Sequence, residues 1–485
     1  MRVYQPALLQ QLRRILLLWV GTGIFGLVLG LLVAQQPILG LLLAVLVIVT
    51  LLGVILFFGR DGVLSLKRAV PVLLVVAILF PYIRLPGGIP DVRLEFVIAI
   101  VAWGLLFLGH LATGFPIRLR RCPVYKWFGL FGFSIVLSMV YAAWFKGQLL
   151  SGRDFWELAK VFLYFLLFAL VMNQKISLAD LRYYYKLALL IFAVSSCVGF
   201  LQYIDFLGIN ERVSPYYAPT QMRGLLVHGR ITGTTPNPNE FGALMVLALS
   251  FALSGALFFQ ERKLRFLCWG TLPVFGLALV LTLSRSALVS LFLTWATILF
   301  LFFRQEGLKY KLRRLLTVVL LGCFLGALML QIVPEKAFYR YGQLVEFTKA
   351  TSWQKRVAMW KKNFAIWLES PWLGWGPGKA TMGTIVDNEW LLLLRRYGVV
   401  GLVIFLCLFG NLFFGFSRIR KAYSDPSVVA LSVALQGTFV GYASYMALAA
   451  VYHSLQLMPI FLLFLGLVYS QWQPKRIVLQ KVPRS

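Results

Sequence analysis

Apolar runs of about twenty residues recur along the chain, and no soluble fold tolerates that pattern. A helix needs ~20 mostly apolar residues to cross a ~30 Å hydrocarbon core, where the backbone must satisfy its own hydrogen bonds. Fourteen such runs are legible, near 14–34, 37–59, 69–83, 95–113, 127–145, 157–172, 183–207, 238–259, 266–283, 286–303, 315–333, 388–416, 427–449 and 452–470. The run at 69–83 is short and carries Pro71 and Pro81. From 266 to 303 only Ser284–Arg285–Ser286 interrupts the apolar residues. One straight helix over that length would be roughly 57 Å long, so the chain is expected to fold back at those three residues. With 60% hydrophobic and 13% charged residues, the expected fold is all-α and polytopic, with about 14 (12–14) transmembrane helices in one domain over 1–485. The first run is too long for a signal-peptide core and reads as an anchor.

The net charge of +30 would suit nucleic acid in a soluble protein. Threaded through fourteen spans from a cytoplasmic N-terminus, most of the 47 Lys and Arg fall instead in cytoplasmic turns such as "RLRRCPVYK", "ERKLR", "KYKLRR" and "SRIRK". That satisfies the positive-inside rule with both termini cytoplasmic, and nucleic acid is not an expected partner. The remaining basic residues lie on the side where the rule predicts depletion. They gather in a loop at 208–237, at the Ser-Arg-Ser turn and in a long loop at 334–387. Together they would form a cationic site at the outer membrane face, suited to a phosphate-bearing lipid. Five scattered cysteines argue against disulfides or a metal site.

In the long loop, Trp353, Trp360 and Trp367 recur every seven residues and would form one stripe of a helix in the membrane interface. Lys355, Arg356, Lys361 and Lys362 lie largely off that stripe; such a helix is an anchor, with Arg356 a candidate ligand contact. The stretch "HGRITGTTPNPNEFG" marks a helix start, with Asn239 its expected cap and Asn237 beside it. Arg230 has no topological job there. Arg285, at a turn too tight to reach far into solvent, is either an exposed turn residue or a functional one.

Four stretches, "GRITGTTPNPNEFG", "LTLSRSALVS", "RVAMWKKNFAIWLESPWLGWGPG" and "VDNEWLLLLRRYGVVG", in this order over about 150–416, resemble the O-antigen ligase and O-antigen polymerase superfamily of bacterial envelope proteins. The resemblance implies glycosyl transfer at the outer, periplasmic face of the cytoplasmic membrane. The donor would be a glycan on undecaprenyl diphosphate; no metal or cofactor is implied. It ties two arginines, here Arg230 and Arg285, to the donor diphosphate. The ligase branch carries a His-Asn pair, nine residues, then G-x-x-G; here Asn388, Gly398 and Gly401 match, and Asp387 holds the histidine position. Polymerase branches vary at that position, so polymerisation of lipid-linked repeat units into O-antigen, capsule or exopolysaccharide is the expected activity. Transfer to lipid A core or another acceptor is the alternative. A chain-length regulator and a flippase are expected partners beside the lipid-linked glycan, the acceptor and membrane lipids.

An always-charged guanidinium suits a diphosphate leaving group, and only the acceptor hydroxyl needs a base or hydrogen-bond acceptor. Asp387 is the expected base or a helix cap, Asn388 an orienting amide and Glu389 a second acid. Arg395 and Arg396 are expected at phosphate level. His228 and His453, both on the outer side, could replace the family histidine; His110 reads as structural. A lipid-linked glycan transporter fits poorly, since no internal repeat is visible.

Overall fold

The structure is a computed structural model and describes residues 69–83, 91–113, 119–304, 351–379 and 386–472. The expected spans at 14–34, 37–59 and 315–333, and Cys323, lie outside these residues. Twelve main helices order the rest: α1 (Ala69–Leu79), α2 (Leu94–Thr113), α3 (Pro123–Phe145), α4 (Gly152–Met172), α5 (Leu178–Tyr203), α6 (Pro238–Phe258), α7 (Arg262–Leu281), α8 (Arg285–Phe303), α9 (Thr351–Leu368), α10 (Glu389–Ala422), α11 (Pro426–Tyr445) and α12 (Leu457–Tyr469). Eight are long and apolar enough to cross a membrane, and three shorter apolar helices cover 69–79, 94–108 and 457–469. All eleven coincide with expected spans.

Local sequence explains many of the boundaries. Proline, whose missing N–H costs nothing in a first turn, opens α3, α6 and α11. Capping boxes, Ser151 with Asp154 and Ser177 with Asp180, start α4 and α5. The fold-back after α7 uses Thr282–Leu283–Ser284, with Arg285 already the first residue of α8. Leu283 takes a positive φ of 53°, and the Thr282 hydroxyl accepts from Ser284 N at 3.1 Å.

At the centre stands α6, with 94% of its apolar stretch buried inside the protein. It packs against α7, α8 and α11. Lipid gives apolar helices little reason to associate, so close packing of small residues carries the contact. Gly437 and Gly441 supply it on α11: a Cβ at Gly441 would sit 2.1 Å from Thr294 Oγ1 and 2.7 Å from Ser290 O of α8. Gly441→Val is expected to destabilise the bundle by about 1–3 kcal/mol or more, read as a lower melting temperature in nanodiscs; an unchanged value would deny this contact its role.

One expected span is not a continuous helix. At Gly398 the backbone turns to φ 64°, ψ −169°, splitting α10 into a short segment, 389–397, and the long span that follows. A break at membrane depth is tolerated only where freed backbone groups find partners. Here the loop after α9 supplies them. Val399 N donates to Pro371 O at 2.9 Å, Val400 N to Trp372 O at 3.2 Å, and Trp375 N to Arg395 O at 3.0 Å. Ser138 of α3 donates to Arg396 O at 2.6 Å.

Candidate active site

Helices α2, α4, α6, α8, α10 and α12 all begin at one end of the bundle, called here the upper end. There the backbone around 445–457 joins two groups of polar residues. The loop before α6 is folded down by Gln202, whose Oε1 accepts from Thr232 N at 3.0 Å and Gly233 N at 2.8 Å. Thr234 donates to Ile78 O at 2.7 Å. The threonines of "GRITGTTPNPNEFG" therefore anchor the loop. Asn237, not Asn239, caps α6: its Oδ1 accepts from Glu240 N at 2.9 Å. Pro238 occupies the first helical position, which places the cap two residues earlier than expected.

Asn239 instead accepts from Arg230 Nη2 at 3.1 Å, and Arg230 Nε donates to Thr282 O at 3.0 Å. Arg230 is thus held against the turn that opens α8, three residues before Arg285. Tyr445 donates to Asn239 O at 2.7 Å, and Ser454 to the Glu240 carboxylate. These bonds connect the first group to His453 and the second.

The second group surrounds a carboxylate that the expected site did not include. Glu157, in the first turns of α4, is fully buried. Lys160 reaches it at 2.7 Å, Lys379 pairs with it, Arg396 Nη1 lies at 3.7 Å and His453 Nε2 at 3.4 Å. Burying an ion costs several kcal/mol, and paired partners offset that cost. Asp154, one turn earlier, accepts from Lys379 N at 2.8 Å and so fixes the loop that carries this lysine.

Glu389 is equally committed. Its carboxylate accepts from Val451 N at 2.6 Å, Tyr452 N at 2.9 Å and His453 N at 2.6 Å, and from His453 Nδ1 at 2.7 Å. Nε2 of the same ring lies 2.7 Å from Arg396 Nη1. A guanidinium only donates, so Nε2 accepts and the ring is neutral with its proton on Nδ1. Glu157 also approaches Nε2, which a charged ring would favour; the shorter arginine contact decides. Burial pushes the neighbouring Tyr452 hydroxyl well above the usual phenol range, so it keeps its proton and is a poor acid.

The remaining expected residues are distributed unevenly. Asn388, not Asp387, caps α10, its Oδ1 accepting from Leu391 N at 3.0 Å. Asp387 pairs with Arg356 Nε at 3.2 Å, the carboxylate 38% exposed. Arg395 is buried and donates to Asn363 Oδ1 of α9 at 2.6 Å. His110 falls in the last turn of α2, and His228 ends a short helix, Met222–His228. Asn388→Ala is expected to cost about 1 kcal/mol of stability, whereas Asp387→Ala removes no cap; equal losses in melting temperature would contradict this division.

Residues 270–406 match the family model for O-antigen ligase. This match over part of the chain supports its assignment to the O-antigen ligase and polymerase superfamily. The matched segment contains Arg285, Arg356, Asp387, Asn388, Glu389, Arg395 and Arg396. The apolar helices and this match point to a multi-pass inner-membrane protein similar to a family of membrane glycosyltransferase-like enzymes. No curated protein matches the chain.

Proposed function

We propose that this superfamily member polymerises glycan repeat units carried on undecaprenyl diphosphate, with the upper end of the bundle facing the periplasm. The observation that carries the reading is the oriented His453–Glu389 pair among cations at the mouth of the bundle. In the reaction, the acceptor O–H gives its proton to His453 Nε2, and its oxygen forms a bond to the anomeric carbon. The bond from that carbon to the diphosphate oxygen breaks, and the electron pair leaves on the diphosphate. Glu389 holds Nδ1–H and stabilises the imidazolium as it forms, while Glu157 offers a second negative charge on the Nε2 side.

Arg230 and Arg285 are assigned to the donor diphosphate, and the N-termini of α6 and α8 add favourable field there. Asn237 and Asn239 support them, one as the α6 cap and the other as Arg230's partner. Arg395 is assigned to holding α9 against α10. Asp387 and Arg356 form a pair at the rim, and Asn388 keeps the first turn of α10 in place.

The test uses purified protein with a synthetic lipid-linked repeat as both donor and acceptor, in EDTA. Products longer than one repeat support polymerisation. Transfer only after lipid A core is supplied would replace it with the ligase activity. Dependence on added divalent metal would overturn the metal-free chemistry.

A further inference from the structure

The same geometry that readies His453 also obstructs it. Nε2, the atom assigned to take the acceptor's proton, already accepts from Arg396 at 2.7 Å. Glu157, an acceptor, lies 3.4 Å from the same nitrogen. A hydroxyl can reach Nε2 as a donor only after Arg396 withdraws. We propose that Arg396 is a latch on His453, released when its guanidinium transfers to the donor's diphosphate, so that acceptor activation requires a loaded donor. This rests on the reading of His453 as the base.

The surroundings supply both halves of such an exchange. Arg396 belongs to the short segment 389–397, which Gly398 separates from the long span, and its backbone carbonyl is fixed by Ser138. Its contact with Glu157 is long, at 3.7 Å, because Lys160 and Lys379 already neutralise that carboxylate. A diphosphate offers charge-assisted, bidentate acceptors that outbid a neutral imidazole. The groups facing His453 are therefore Glu157 and Lys160 from α4, Lys379 from the loop after α9, Glu389 and Arg396 from α10, and Glu240 from α6 through Ser454. Once the arginine leaves, Nε2 is unbonded beside two carboxylates and ready to accept. A water that enters before the donor meets an occupied base.

Only three histidines occur in the chain, which makes the test direct. Full-length protein labelled with ¹⁵N at histidine, in nanodiscs, is titrated with undecaprenyl diphosphate while the ring nitrogens are observed; His453→Gln assigns the signals. The expected result is a shift of the His453 Nε2 resonance away from its arginine-bonded position, with His110 unmoved. Arg396→Met should show that shifted position with no lipid added. The titration of the wild-type protein decides alone if this variant does not fold. Lipid that binds, by co-purification with the protein, yet leaves Nε2 unmoved overturns the latch and spares the donor site. Lipid that does not bind at all overturns the donor site, and the latch with it.

Discussion

Replacing His453 by Gln is expected to slow glycan transfer by roughly 10²–10⁴-fold, the usual contribution of a positioned general base. Its backbone N–H bond to Glu389 does not depend on the side chain, so the segment 451–454 should keep its place and the melting temperature should change little. Glutamine fills a similar volume and can still donate toward Glu389, but it has no basic nitrogen. The loss should fall on the maximal rate more than on the apparent affinity for the donor, because no diphosphate contact is removed. Full activity in His453→Gln combined with loss in Asp387→Ala would hand the base role to Asp387, with Arg356 as its orienting partner. Full activity in both would leave the acceptor without a base in either position and refute the mechanism.

Gly398→Ala should be among the most damaging single-methyl changes in this protein. The backbone there, at φ 64° and ψ −169°, is a region that residues with a Cβ avoid at a cost of about 1–3 kcal/mol. The added carbon would also lie 2.2 Å from Trp372 O and 2.6 Å from Leu373 N. These are backbone atoms, so nothing nearby yields by rotating a side chain. Relief requires parting α10 from the loop that carries Lys379, which strips Glu157 of one partner and Val399 and Val400 of theirs. Loss of monodisperse protein on extraction is the expected readout. Gly410→Ala is the control: it lies in the same helix, with nothing within 4 Å of an added Cβ, and should be neutral or mildly stabilising. Matching behaviour of the two variants would mean that the break is not required.

What could be read in advance was what depends on composition and period. Every described span coincides with an apolar run, because a lipid solvent leaves few alternatives to a helix. Arg230 was expected to gather with the turn at Arg285, and it donates to Thr282 O, three residues before that arginine. Gly398 was not: a glycine within "RRYGVVG" reads as an ordinary helical residue, and only the loop crossing it reveals the break. Glu157 and Lys160 went unremarked although "GRDFWELAK" places charges at a helix mouth just as "VDNEW" does. The same reasoning applied to both mouths would have found them. Asp387 drew attention by standing at a family position, while His453 is oriented by Glu389, a carboxylate held by three backbone N–H groups of the 451–453 turn. No spacing rule links residues 389 and 453. The capping shifts, Asn237 for Asn239 and Asn388 for Asp387, are one- or two-residue errors at helix ends, where sequence patterns are weakest.

The proposed site is shared among segments far apart in the chain, and the family domain at 270–406 holds only part of it. Arg285, Glu389 and Arg396 lie inside that segment, whereas Glu157, Arg230 and His453 lie outside. Grafting the matched segment alone into a relative would bring a carboxylate shaped to receive one particular imidazole and an arginine without its buried counter-charge. Sugar specificity could therefore be traded between such proteins by recombination only when the breakpoints carry the first turns of α4 and the 451–454 turn along with the domain. The heritable module is then nearly the whole bundle, and single-segment chimeras should yield folded membrane proteins that transfer nothing.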